Sequence, residues 1–135
     1  MNTMIIKFLM FSLFLILGVI FFISTFICKF YIAFTIGRKF DQLFPYPKFI
    51  FLTGSGLWGK ITRAHFYASF VVTKNRSARR LIYENYYSDY DFYGNVTPRQ
   101  RKACWAYFIC FISTFISFGL MCYFESLFHV HVVQG

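Results

Sequence analysis

Acidic side chains are the scarcest charged type in this chain, 5 Asp and Glu against 14 Lys and Arg in 135 residues. No catalytic constellation emerges from so few carboxylates, and the chain is expected not to be an enzyme. Histidine and cysteine are also sparse, at 3 and 4. Cys28, Cys104, Cys110 and Cys122 contain no C-x-x-C pair and have no supporting His cluster, which excludes the common zinc and disulfide frameworks. They read as free thiols in apolar surroundings, where Cys behaves as a small hydrophobe. The alternative is a Cys28–Cys104 contact at one membrane face, which a cytosolic location would keep reduced. His129 and His131 form only a short pair in the tail, so neither a metal nor a cofactor is expected.

Charge and proline are both absent from two long stretches, Phe8 to Cys28 and Ala103 to Phe124. At about 1.5 Å rise per residue each can cross a hydrocarbon layer of about 30 Å. A chain this short has no further apolar layers to wrap two such helices in a soluble core. The first stretch exceeds the apolar length of a secretory signal and lacks a small-x-small site after it, so it is expected to be retained. The fold class that follows is an all-α membrane protein, with two transmembrane helices flanking a small, basic, mainly helical cytoplasmic domain. Its expected parts are an N-terminal transmembrane helix with its extension (1–37), a basic domain (38–97), a C-terminal transmembrane helix (98–128) and a short outer tail (129–135).

What the chain does have is positive charge, concentrated between the spans. Between Arg38 and Lys102 lie 12 Lys and Arg and 4 acids, a formal +8. Arg38 and Lys39 closely follow the first span, and Arg99, Arg101 and Lys102 directly precede the second. Loops enriched in this way stay on the cytoplasmic side, so the middle is expected inside and both termini outside. The sequons at Asn75 and Asn95 matter only if the loop is lumenal.

Along the chain, helix one is expected to extend past Lys29 until Gly37 ends it. Asp41 to Thr53 reads as irregular, because Pro45 and Pro47 exclude a continuous helix. Gly54 to Lys60 contains both G-x-G-x-x-G and G-x-x-x-x-G-K. The first lacks its second strand and acidic partner, and the second has Ile61 where Ser or Thr belongs, so a turn that packs Trp58 at the membrane surface is expected instead of a phosphate loop. Ile61 to Thr73 reads as a helix, with His65 as a surface or interface residue. Ser77 can cap a further helix from Ala78, on which Tyr83, Tyr86, Tyr87 and Tyr90 share one face. That face suits packing on the preceding helix, lying on an anionic leaflet or, as a distant third, stacking on bases. Nucleic acid is therefore not an expected partner. Thr97, Pro98 and Gln100 spell a helix start with a capping box.

Two residue sets are the candidates for function. The basic residues expected to face lipid are Arg38, Lys39, Lys74, Arg76, Arg79, Arg80, Arg99, Arg101 and Lys102. In the second span Ala106, Cys110, Ser113 and Ser117 recur at helical spacing, a small-residue stripe against which another helix can pack. The chain's own first helix is one partner for it, through Ser12, Gly18 and Thr25, and a second copy is the other. The expected partners are thus membrane lipids, with a homo-oligomer or a membrane protein as further possibilities.

Asp41 with nearby Pro45, the aromatics Phe49 and Phe51, a glycine before the basic helix, and Lys60-Ile61-Thr62-Arg63-Ala64-His65-Phe66-Tyr67 together resemble the universal stress protein B family, in layout as well as in the K-x-x-R-x-x-aromatic-Tyr pattern. This chain is longer and lacks that family's His- and acid-rich stretch. The resemblance implies a multi-pass inner-membrane protein with two spans, associated with stress tolerance, and no defined chemistry. The function expected is a non-enzymatic membrane protein whose basic domain lies on anionic lipid and contacts a partner or itself. The alternative is an accessory subunit of a larger membrane complex.

Overall fold

The computed structural model describes residues 2–43, 56–80 and 90–134, without the side chains of 79, 80, 128 and 130–134. Every regular element among the described residues is helical. Helix α1 covers Asn2–Ile32, a π-helical segment covers Ala33–Gly37, and α2 covers Arg38–Leu43. Helix α3 is Leu57–Val72, α4 is Arg76–Arg80, and α5 is Pro98–Gln134.

Both long helices run without a break in their backbone. No proline interrupts α1 at any of its 31 residues. The hydroxyls of Ser24, Thr25, Thr35 and Thr114 donate to the carbonyl four residues back at 2.8, 2.7, 2.6 and 2.8 Å, which hides polar groups that lipid could not solvate. Two stretches, Asn2–Leu43 and Pro98–Leu127, are long and apolar enough to cross a membrane, and their most apolar windows are only 6% and 17% buried. A helix at the centre of a soluble core would be mostly buried. These helices instead turn large side chains such as Ile16, Ile23, Ile109 and Phe115 outward.

The chain forms two compact units. The first joins Met1–Thr25 to Phe108–Gly135, and the second is Phe26–Tyr107. In the first unit the helices run side by side in opposite directions, because Phe14 stacks on Phe124 at 5.7 Å and Gly18 lies against Phe118. A Cβ at Gly18 would stand 2.9 Å from the Phe118 ring, so the missing side chain is what seats that ring. Thr25 and Ser117 are buried here, whereas Ser12 and Ser113 are half-buried.

The second unit holds the core. Ile32, Ile36 and Phe40 come from the first helical stretch, Tyr67, Phe70 and Val71 from α3, and Phe92 from the segment before α5. Phe92 is its hub, with ring centroids at 4.9 Å from Phe40 and 4.8 Å from Phe70, in the edge-on and tilted arrangements aromatic quadrupoles prefer.

Several sequence expectations change here. Gly37 does not end helix one: the backbone widens by a π-turn and continues to Leu43, and Gly37 is buried with Tyr67 close beside it. Asp41 is accordingly helical, not the start of an irregular stretch. Helix α3 begins at Leu57, four residues before the expected Ile61, so Trp58 and Gly59 belong to its first turn. Ser77 is not a cap. Helix α4 already includes Arg76, and the Ser77 amide donates to the Thr73 hydroxyl at 3.0 Å after a turn in which Lys74 and Asn75 take φ of 50° and 68°. Tyr90 lies outside any helix and packs on Phe40 and Phe92. Tyr83, Tyr86 and Tyr87 fall outside the described residues.

The start of α5 is as read. The Thr97 amide donates to Gln100 Oε1 at 2.9 Å and the Gln100 amide to Thr97 Oγ1 at 3.2 Å, a reciprocal capping box with Pro98 at the first helical position. The helix continues past Phe128 to Gln134.

Candidate functional site

Where helix one changes from α to π and back, its face turns toward the first half of α3, and a polar network forms. Arg63, almost fully buried, grips Asp41 with two donors, Nε to Oδ1 at 2.8 Å and Nη2 to Oδ2 at 3.2 Å. Tyr67 adds its hydroxyl to Oδ1 at 2.8 Å. The carboxylate thus meets both a planar fork and a neutral donor, the geometry in which an ion pair best recovers its desolvation cost. Composition alone could not show this. The partners lie 22 and 26 residues apart and meet only because α3 folds back onto helix one.

A second polar pair starts between Arg63 and Tyr67 on α3. His65 Nδ1 is 2.6 Å from the Tyr107 hydroxyl, which ties His65 to α5 across 42 positions at a helix–helix interface. Burial, and then the positive charge of Lys29, lower the His65 pKa below its ordinary 6.5.

The nine basic candidates separate into three groups. Lys39 donates to the Asn95 carbonyl at 2.6 Å, Arg101 donates to the Tyr93 carbonyl at 3.1 Å and stacks 4.1 Å over its ring, and Lys74 stands 5.7 Å from that same ring. These three brace the segment before α5. Its other brace is Asn75, whose amide donates to Asp91 Oδ1 at 2.8 Å while its own carbonyl oxygen accepts from the Tyr93 amide at 3.1 Å. By contrast Arg38, Arg76, Arg99 and Lys102 are exposed and form no ion pair among the described residues. The side chains of Arg79 and Arg80 lie outside the described residues.

Of the small-residue stripe, Ser117 is buried and Ala106, Cys110 and Ser113 are half-buried. The deepest positions of α5 are instead Cys104 and Tyr107 in the second unit and Thr114 and Ser117 in the first.

A cleft of about 400 Å³ opens beside the Asp41 network, lined by Ala33, Phe34, Arg38, Asp41, Gln42 and Lys60. Lys60, the lysine that closes the glycine pattern, is therefore not on a loop; it projects from the first turn of α3 into the same cleft as Arg38. Residues 54 and 55 of that pattern lie outside the described residues. No group of three or more metal-ligating side chains occurs among the described residues. No known protein family, curated protein or solved structure matches the chain.

Proposed function

We propose that this chain is a non-enzymatic two-span protein of the inner membrane, whose basic middle lies on the cytoplasmic side against anionic lipid. The carrying observation is the pairing of two outward-facing apolar helices with four exposed cations, Arg38, Arg76, Arg99 and Lys102, that have no ion-pair partner among the described residues between them. Each such charge near an anionic leaflet contributes about 1 kcal/mol, a contribution that salt screens. Lys39, Lys74 and Arg101 contribute less, because their side chains already serve the fold.

The register of the helix pair supports a particular depth. Phe14 lies beside Phe124, so Glu125 is level with the side chains just before Phe14. Glu has a short stem and is costly inside hydrocarbon, whereas the long stem of Lys29 can carry its ammonium toward a boundary. The favoured window along helix one then starts near Phe14 and, at 1.5 Å per residue over about 30 Å, ends about 20 residues later near Phe34. This is several residues later than Phe8 to Cys28. It brings Arg38 to headgroup level.

The test is labelling of intact cells with an impermeant thiol reagent, using single cysteines at Asn2 and Gly56 after replacement of the native four by alanine. Both positions are exposed, and a side chain at Gly56 meets open space. Labelling at 2 with protection at 56 is the expected result. Labelling at 56 would reverse the orientation and remove the anionic cytoplasmic leaflet as the surface in question. A role in stress tolerance rests only on the resemblance noted above and is tested by survival of a deletion strain.

A further inference from the structure

The cleft beside Asp41 is charged in an asymmetric way. Asp41, the only acid among the described residues that line it, already has both carboxylate oxygens engaged by Arg63 and a third contact from Tyr67. Arg38 and Lys60 have no such partner among the described residues, and both are exposed. Among the described residues the cleft therefore presents two cations without an acidic partner, and the Gln42 amide. Beside them sit the apolar surfaces of Ala33 and Phe34, the latter 53% exposed.

That combination selects for a ligand class. A guanidinium fork and a lysine point charge converging on one space match the oxygens of a phosphate group. A purely water-soluble phosphate would leave Phe34 unused. We propose that this cleft holds the headgroup phosphate of an anionic lipid, with Arg38 and Lys60 on the phosphate oxygens and Phe34 against the first carbons of the acyl region. The proposal rests on the membrane reading above, and on the depth at which Phe34 meets the end of the hydrocarbon window. Asp41 does not oppose it, because Arg63 cancels its charge from behind. The Arg63–Tyr67 grip also holds the Asp41 end of α2, and with it Arg38, at a set distance from α3.

The experiment measures lipid retained by the purified full chain in nanodiscs of phosphatidylcholine doped with phosphatidylglycerol, read as bound lipid by native mass spectrometry. The chain should retain phosphatidylglycerol in preference to phosphatidylcholine. The double variant Arg38→Gln/Lys60→Gln should lose that preference by roughly 10- to 30-fold, the effect of removing two charges near the lipid. Arg99→Gln/Lys102→Gln removes equal charge outside the cleft and should lose clearly less of the retained lipid, because a diffuse surface attraction is screened by salt and does not hold one headgroup in place. Arg38→Lys keeps the charge but not the fork, and an intermediate loss is expected. Equal loss in the two double variants would overturn the proposal in favour of diffuse surface charge. So would the absence of any phosphatidylglycerol preference. Displacement of the lipid by millimolar glycerol 3-phosphate would assign the cleft to a soluble phosphate instead. Membrane insertion is read separately by carbonate extraction: a chain that inserts but shows no cleft dependence sinks this inference alone, whereas a chain that is extracted sinks the membrane reading with it.

Discussion

The two units of this protein use the same kind of helix in different ways. In the unit of Met1–Thr25 and Phe108–Gly135 large apolar side chains point outward, hydroxyls bond back to their own helix, and the helices meet ring on ring at Phe14 and Phe124 and ring on glycine at Phe118 and Gly18. In the unit of Phe26–Tyr107 a cluster of rings is gathered inward around Phe92 while others such as Phe34 and Trp58 stay exposed, and polar side chains bond to distant partners, as Asp41 does to Arg63 and His65 to Tyr107. In the proposed membrane setting, lipid would offer no hydrophobic force between the helices of the first unit, which would then depend on close contact. In the second unit the rings around Phe92 are held by burial, and specificity comes from buried polar groups that must be paired.

Perturbing each unit by its own means should separate them. The largest effect is expected from Asp41→Ala, which strands a buried guanidinium and should cost about 3 kcal/mol. Trp58 and Trp105 both lie in the second unit, so denaturation in mild detergent followed by tryptophan fluorescence reads this loss directly. An unchanged midpoint would show that the network is not structural. Next comes Gly18→Val, whose added atoms meet the Phe118 ring and should destabilise the helix pair by about 1–3 kcal/mol. Its effect should appear in disulfide cross-linking between cysteines placed at positions 14 and 124, and not in the tryptophan transition. Equal response of both probes would mean that the units do not act separately. Thr97→Ala removes one arm of the capping box and should cost about 1 kcal/mol, visible in the same fluorescence transition.

The smallest effect is that of pH. Burial and Lys29 hold the folded-state His65 pKa below 6.5, so the unfolded chain binds the proton more readily. Stability from this group is complete above the unfolded value and falls as pH drops through about 6.5 toward the folded value. The second unit should therefore melt at a lower temperature at pH 5 than at pH 8, and His65→Gln should flatten part of that dependence. A melting temperature that rises on acidification in the parent and not in His65→Gln would reverse the assignment.

Some of this was legible in the sequence because it is local. The capping box spans four residues and its donors and acceptors lie only three positions apart, so Thr97, Pro98 and Gln100 were sufficient to locate the start of α5. The two apolar helices likewise follow from composition summed over about 20 positions. Gly37 shows the limit. A glycine that ends a helix and one that makes room for a neighbour look alike in sequence, and only the proximity of Tyr67 tells them apart. Ser77 misled for a related reason, since Thr73, four residues earlier, already takes its amide. Within the basic set, sequence could count the cations but not sort them.

Hydropathy, charge and capping, which are sums or short-range bonds along the chain, determined by sequence alone that two long apolar helices bracket a basic middle and where the second begins. Tertiary structure decided that Asp41 belongs to Arg63 and Tyr67, that His65 belongs to Tyr107, that Gly18 seats Phe118, and that Arg38 and Lys60 share one cleft without a partner among the described residues. Those pairings join residues 22 to 42 positions apart, or more than that across the helix pair, and such distances exist only once the backbone has turned back on itself.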